Sequence, residues 1–251
     1  MKFIQLMLVS LALFLSPGCN SQKVPNDSKP ISHELWDALL KKYVSDDGHV
    51  NYAGLKKDQG QLNTYLDLVR KGHPNTENWS REQRLAYWIN AYNAFTVDLI
   101  VRNYPCKSIK DLGGAIYKVN TPWDIRFITI QSTTYDLNNI EHDILRKEFN
   151  EPRIHFAINC ASVSCPVLKN EAFTADKVNS QLDGAAKAFI NDPSRNKITS
   201  NSAELSKIFT WFKGDFTKKE TLVSFINRYS NTKISDKTQI NYLDYNWLLN
   251  E

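Results

Sequence analysis

Residues 80–105 read SREQRLAYWINAYNAFTVDLIVRNYP, and the whole domain has to be built round them. Ser80 followed three residues on by Gln83 is a capping box. Its hydroxyl and amide satisfy two backbone N–H groups that the start of a helix leaves without partners. The helix runs to Tyr104, where Pro105 prevents extension because it lacks an N–H and its ring clashes with the preceding turn. Between these limits Leu85, Trp88, Ile89, Tyr92, Phe95 and Leu99 form an apolar stripe, and apolar residues spread over more than half the circumference. Such a helix is buried on most sides.

Two more helical segments are predicted upstream. Ser32 caps a segment in which Leu35, Trp36, Leu39, Leu40 and Tyr43 recur at helical spacing up to the turn Asp46-Asp47-Gly48. A second carries Leu62, Tyr65, Leu66 and Val69 on one face and stops at Gly72. Downstream the pattern changes to short alternating runs, 127–130 and 134–137, which read as a hairpin. A helix is predicted from Asn138, with Glu141 as its capping partner. In residues 153–159 Ile154, Phe156 and Ile158 alternate with Arg153, His155, Ala157 and Asn159, which predicts a strand with His155 on its polar side. A further helix follows from about Thr174 to Ile190, then short strands and helices up to an aromatic C-terminus. Trp211-Phe212 and Tyr242 to Trp247 read as core there. The order predicts one α+β domain, a helical N-terminal part packed on a small, mainly antiparallel sheet with further helices.

The chain has 251 residues, 42% of them apolar and 23% charged, with a net charge of +4. Those values fit an ordinary globular domain and exclude a disordered or fibrous chain. Lys and Arg are interleaved with Asp and Glu and form no basic patch, so a nucleic-acid partner is excluded.

Residues 1–18 do not belong to the fold. A basic start and an apolar run from Phe3 to Leu15, too short to span a bilayer, mark a signal peptide. The run ends in Ser16-Pro17-Gly18-Cys19, which resembles a bacterial lipoprotein signal, with Ser16 where such signals usually carry Leu. The resemblance implies a lipid on Cys19 and an exported, membrane-anchored lipoprotein of a bacterial cell envelope. Residues 19–32 are then a polar tether, and 33–251 the domain. Cys106, Cys160 and Cys165 remain, an odd number that cannot all pair within one chain.

Five segments carry a further resemblance: Tyr87 to Ala94, Ile140 to Arg146, Pro152 to Ala157, Cys160 to Leu168, and Asp244 to Trp247. In this order, over Tyr52 to Asn250 or so, the chain resembles the domain of unknown function 547 family. The resemblance implies a domain and no reaction, since that family has no established activity.

The residues themselves suggest chemistry. Cys165, between Ser164 and Pro166, suits the first turn of a helix, where unpaired amides and the helix dipole favour a thiolate. With His155 as base it makes a Cys/His pair for hydrolysis or acyl transfer, the imidazole oriented by Asn90, Asn93, Glu141, Asp215 or Asp244. Glu141 is carried as a third catalytic candidate. The alternatives are a local Cys160–Cys165 disulfide, and a binding module whose polar groove is lined by Asn90, Asn93, Glu141, His142, Arg153 and His155 and takes a small molecule or peptide. Arg146 is a further candidate for an acidic-substrate pocket. His155, Cys160 and Cys165 lack the spacing of a zinc knuckle, and no phosphate loop, nucleophile elbow or zinc-protease helix appears, so no metal or cofactor is expected.

Overall fold

The computed structural model describes residues 26–113 and 120–251. The predicted signal peptide and Cys19 lie outside them. Helices α1 (Glu34–Tyr43), α2 (Tyr52–Lys57) and α3 (Gln59–Lys71) pack on one another, and α2 and α3 also pack on α4 (Arg81–Asn103). The capping box forms: Gln83 N donates to Ser80 Oγ at 3.1 Å and Ser80 N to Gln83 Oε1 at 2.8 Å. Every residue of α4 from Leu85 to Val101 is buried, so the helix is enclosed on all sides.

Strands β1 (Ile128–Ile130) and β2 (Thr133–Tyr135) form the predicted antiparallel hairpin. After them the chain enters a π-helical segment, Asn139–Leu145, which continues as α5 (Arg146–Phe149). Here the cap differs from the predicted one. Asp136 and Asn139 bond each other's backbone N–H groups at 3.2 and 2.7 Å, while the Asn138 amide donates to Asp124 at 2.7 Å. Glu141 is released from capping and buried.

Residues 152–159 correct a second expectation. Pro152–Phe156 is a 3₁₀ turn, not a strand, and His155 is buried, not on a polar face. The alternation that suggested a strand has another cause. Ile154 and Ile158 enter the large apolar cluster built round α4, and Phe156 enters a second cluster with Phe189, Phe209, Phe216 and Phe225. The turn is a hinge pin between two cores, and three residues per turn can feed both.

The second core is formed by α6 (Val178–Asn191), β3 (Lys197–Ile198), β4 (Ser202–Leu205), α7 (Ile208–Trp211), α8 (Lys213–Phe216), α9 (Leu222–Tyr229) and β5 (Gln239–Tyr242). β3 and β4 are antiparallel, and β4 and β5 parallel, so this small sheet is mixed. Each fully buried Phe of this cluster contributes about 1.5–3 kcal/mol of transfer free energy. The whole is an α+β domain, with helices predominating over two small sheets.

Residues ahead of 33 are bonded to the domain. Asn26 Nδ2 donates to His73 O at 3.0 Å, Ser28 O accepts from Trp79 Nε1 at 2.9 Å, and Lys29 bonds Asn78 at 2.6 Å. The polar run read as a tether is therefore docked from Asn26 onward.

Candidate functional site

At the seam of the two cores lies a pocket of about 190 Å³. One wall comes from the first core: Tyr92 of α4, Trp123, Asn138, and Glu141 and His142 of the π-helical segment. The other comes from the second: Ile208, Trp211, Phe212, Tyr245 and Trp247. His155, Ile158, Cys160, Cys165 and Pro166 complete it.

The aromatic wall is a connected cluster of rings, in which Trp211 and Trp247 stack and the other pairs meet tilted or edge-on. Ring centroids lie 4.5 Å apart for Tyr245–Trp247, 4.8 Å for Trp211–Tyr245, 5.6 Å for Trp123–Trp247 and 5.8 Å for Trp211–Trp247. Trp211 is 46% exposed, so the aromatic residues near the C-terminus are in part surface and not core as predicted. Their density in the sequence was the available signal.

The polar wall is a chain of groups. Arg146 donates to both Asp215 oxygens, at 2.6 and 3.0 Å, and to His142 Nδ1 at 2.8 Å. An arginine only donates, so His142 Nδ1 is the acceptor and Nε2 carries the proton. By the same reasoning His155 Nε2 donates to Asp215 at 2.7 Å, which leaves Nδ1 a bare acceptor. Nδ1 has no hydrogen-bond partner, and Glu141 Oε1 is 3.9 Å from it. The His155 ring stacks on Phe212 with centroids 3.9 Å apart.

Burial sets the protonation of these groups. It pushes the Glu141 carboxyl up to about 7, against an opposing hydrogen bond from Tyr92 at 3.3 Å. It lowers the affinity of His155 and His142 for a proton, and keeps both rings neutral more readily than a free imidazole. Burial alone raises Asp215, but the bonds from His155 and Arg146 overcome it and hold that carboxylate well below the usual range. The site thus combines one anchored carboxylate, two imidazoles of lowered proton affinity and one carboxyl whose proton affinity is raised toward neutrality.

The sequence candidates divide cleanly. Glu141, His142 and His155 meet in the pocket, and Asp215 is the group that orients His155. Asn90 and Asn93 do not reach it. Asn90 bonds Phe173 N and O at 3.0 and 2.8 Å, and Asn93 bonds Asn159 N and Ala157 O at 2.8 and 2.9 Å, so both tie backbone together inside the core. Arg153 is held by Glu151 and Asp183 on a separate charged cleft shared with Lys218, Lys219 and Arg228. Asp244 is paired with Lys207 at the surface.

Cys165 corrects the nucleophile reading. It sits in the turn Ser162–Cys165, not on a helix, is 3% exposed, and is bonded to Cys160 in a disulfide with Cα atoms 6.0 Å apart. It carries no thiolate in this state, and His155 gives its bonds elsewhere. Cys106 is the free cysteine among the described residues. No group of three His, Cys, Asp or Glu side chains among those residues is placed to hold a metal ion.

Residues 76–190 match the family described as a protein of unknown function, DUF547. The match covers α4, the hairpin, the π-helical segment, the 3₁₀ turn, the cysteine loop and nearly all of α6. Asp215 and the C-terminal aromatic wall lie outside it. No curated protein and no solved structure matches the chain.

Proposed function

We propose that the protein is a binding module of a bacterial cell envelope, held to a membrane through a lipid on Cys19, and that the aromatic pocket takes a ring-bearing side chain of a peptide. The observation that carries this reading is the pocket itself: clustered indole and phenol rings that line one concave space together with Glu141 and His142. Its volume is below the roughly 300–1,000 Å³ of a site enclosing a whole small ligand, so it suits one side chain of a larger partner. The apolar ring stacks on Trp247 and Tyr245, while Glu141 and the His142 N–H address the flanking peptide groups.

Titration of intrinsic tryptophan fluorescence with N-acetyl-phenylalaninamide tests this. A saturable change is expected, absent with N-acetyl-alaninamide and lost in Trp247→Ala. Equal responses to the two amides would refute the reading. The anchor is tested separately: labelled palmitate enters the wild type and not Cys19→Ser, and equal incorporation in both contradicts it.

The hydrolase or acyl-transferase reading draws on one observation, that His155, oriented by Asp215, lines the same pocket as Cys165. It requires Cys165 to be released from its disulfide. An acyl group found on Cys165 after reduction and exposure to an activated ester supports it, and labelling of Cys106 alone excludes it.

A further inference from the structure

We propose that Cys160 and Cys165 are a thiol–disulfide exchange couple, which accepts two electrons from a dithiol peptide whose neighbouring ring side chain occupies the aromatic pocket. The peptide half of this inference rests on the binding reading above; the exchange half does not.

The two sulfurs are inequivalent. Cys160 is half-buried and opens on the pocket, whereas Cys165 is 3% exposed. An incoming thiolate therefore reaches Cys160 Sγ, and Cys165 is the leaving group. The leaving sulfur is already solvated by protein: Cys160 N donates to Cys165 Sγ at 2.8 Å. The attacked sulfur has two hydroxyls beside it, Ser162 Oγ at 3.2 Å and Tyr245 Oη at 3.3 Å, both able to donate to a Cys160 thiolate. The Arg195 guanidinium, paired with Asp192, is fixed on the carbonyls of Val163 and Cys165 and braces the loop that carries both sulfurs.

The loop does not depend on the disulfide for its shape. Asn159 bonds Ala161 N at 2.8 Å and Pro166 O at 2.7 Å. Val163 N bonds Leu248 O at 2.9 Å, and Ser164 exchanges two bonds with Asn246. Ala161 between the cysteines adopts the left-handed conformation at φ 58°, which is unfavourable for a residue with a Cβ. A backbone fixed this firmly lets the sulfurs part without unfolding.

The chemistry balances in two steps. A partner thiol ionises, and its thiolate attacks Cys160 Sγ. A partner–Cys160 disulfide forms, the Cys160–Cys165 bond breaks with its electron pair on Cys165 Sγ, and Cys165 takes up the proton released. A second partner thiolate then attacks the partner sulfur of the mixed disulfide, and Cys160 leaves and is protonated in turn. The partner dithiol is oxidised to a disulfide, and two electrons and two protons now reside on Cys160 and Cys165.

Cys106, half-buried with its thiol pushed up by burial, is an internal control. The folded full chain is treated with dithiothreitol, alkylated with iodoacetamide and mapped by peptide mass. Modification of Cys160 and Cys165 with an unchanged far-UV circular dichroism spectrum is expected. In Cys165→Ser, oxidised glutathione should cap Cys160 at least about threefold faster than Cys106, the net effect of one unit of thiol pKa once the lower intrinsic nucleophilicity is counted. Persistence of the disulfide until denaturant is added would overturn the proposal, as would a Cys160 no more reactive than Cys106. If Cys165→Ser fails to fold, native reduction of the wild type decides alone. Dithiothreitol, a small dithiol, and oxidised glutathione, a small disulfide, need no ring pocket, so exchange can fail while phenylalaninamide binding stands, and the reverse.

Discussion

On α4, Asn90 and Asn93 bond with both ends of their amides to backbone that comes from far along the chain. Across the seam, Glu141 and His155 are as deeply buried, yet His155 Nδ1 has no partner and Glu141 has only a 3.3 Å bond from Tyr92. Both pairs are buried polar groups from motifs of similar appearance. The first is complete, and the second is left with capacity to spare. Unmet hydrogen-bonding capacity in a pocket is a cost to folding, and it is retained where a ligand can meet it.

The largest effect expected from this contrast is on the complete pair. Asn93→Ala strands the buried Asn159 N–H and Ala157 carbonyl, at a cost of roughly 3 kcal/mol in chemical denaturation. A loss below about 1 kcal/mol would erase the distinction between the pairs.

The incomplete pair should respond in the opposite sense, through pH. Glu141 binds its proton up to about 7 in the folded protein and an ordinary carboxyl releases it near 4.5, so the folded state holds the extra proton between these values. Stability therefore falls as pH rises through that window, by about 3 kcal/mol in all. Glu141→Gln removes this dependence, and thermal melts from pH 4 to 8 should converge at the acid end and diverge above. Below 6.5 for His155 and below 3.8 for Asp215 the lowered proton affinities act the other way, because both bind protons more readily once unfolded, so the Glu141 contribution is read as the difference between wild type and Glu141→Gln. Parallel profiles for wild type and Glu141→Gln would show that Glu141 is an ordinary carboxylate.

The smallest effect is that of Tyr92→Phe. It removes one long hydrogen bond, costs about 1 kcal/mol or less, and moves Glu141 further up because that bond favours the charged form. A downward shift would mean that Tyr92 does not donate to the carboxylate.

The same contrast explains what could be read in the sequence. The start and end of α4 were legible because Ser80, Gln83 and Pro105 act within a few residues of where they stand. The α+β class followed from the order of such local signals. Residues 153–159 were misread because alternation records which core a side chain enters and not the backbone that delivers it. The π-helical segment left no trace in the apolar spacing, although it carries Glu141 and His142 into the pocket. Asp215 stood among five candidates for orienting His155, and only the meeting of α8 with the 3₁₀ turn selects it. For Asn90 and Asn93, their place on an apolar helix marks them as buried amides in need of partners and makes a bond to neighbouring backbone the stronger reading, but it does not name the backbone of Phe173, Ala157 and Asn159.

Glu141 is central as a proton-exchanging carboxyl in a ligand pocket. Carbon-13 NMR of the side-chain carboxyls, with Glu141 assigned from Glu141→Gln, measures this directly. The prediction is a titration midpoint near 7 that moves when N-acetyl-phenylalaninamide is added. A midpoint in the ordinary carboxylate range, unmoved by the amide, would contradict it.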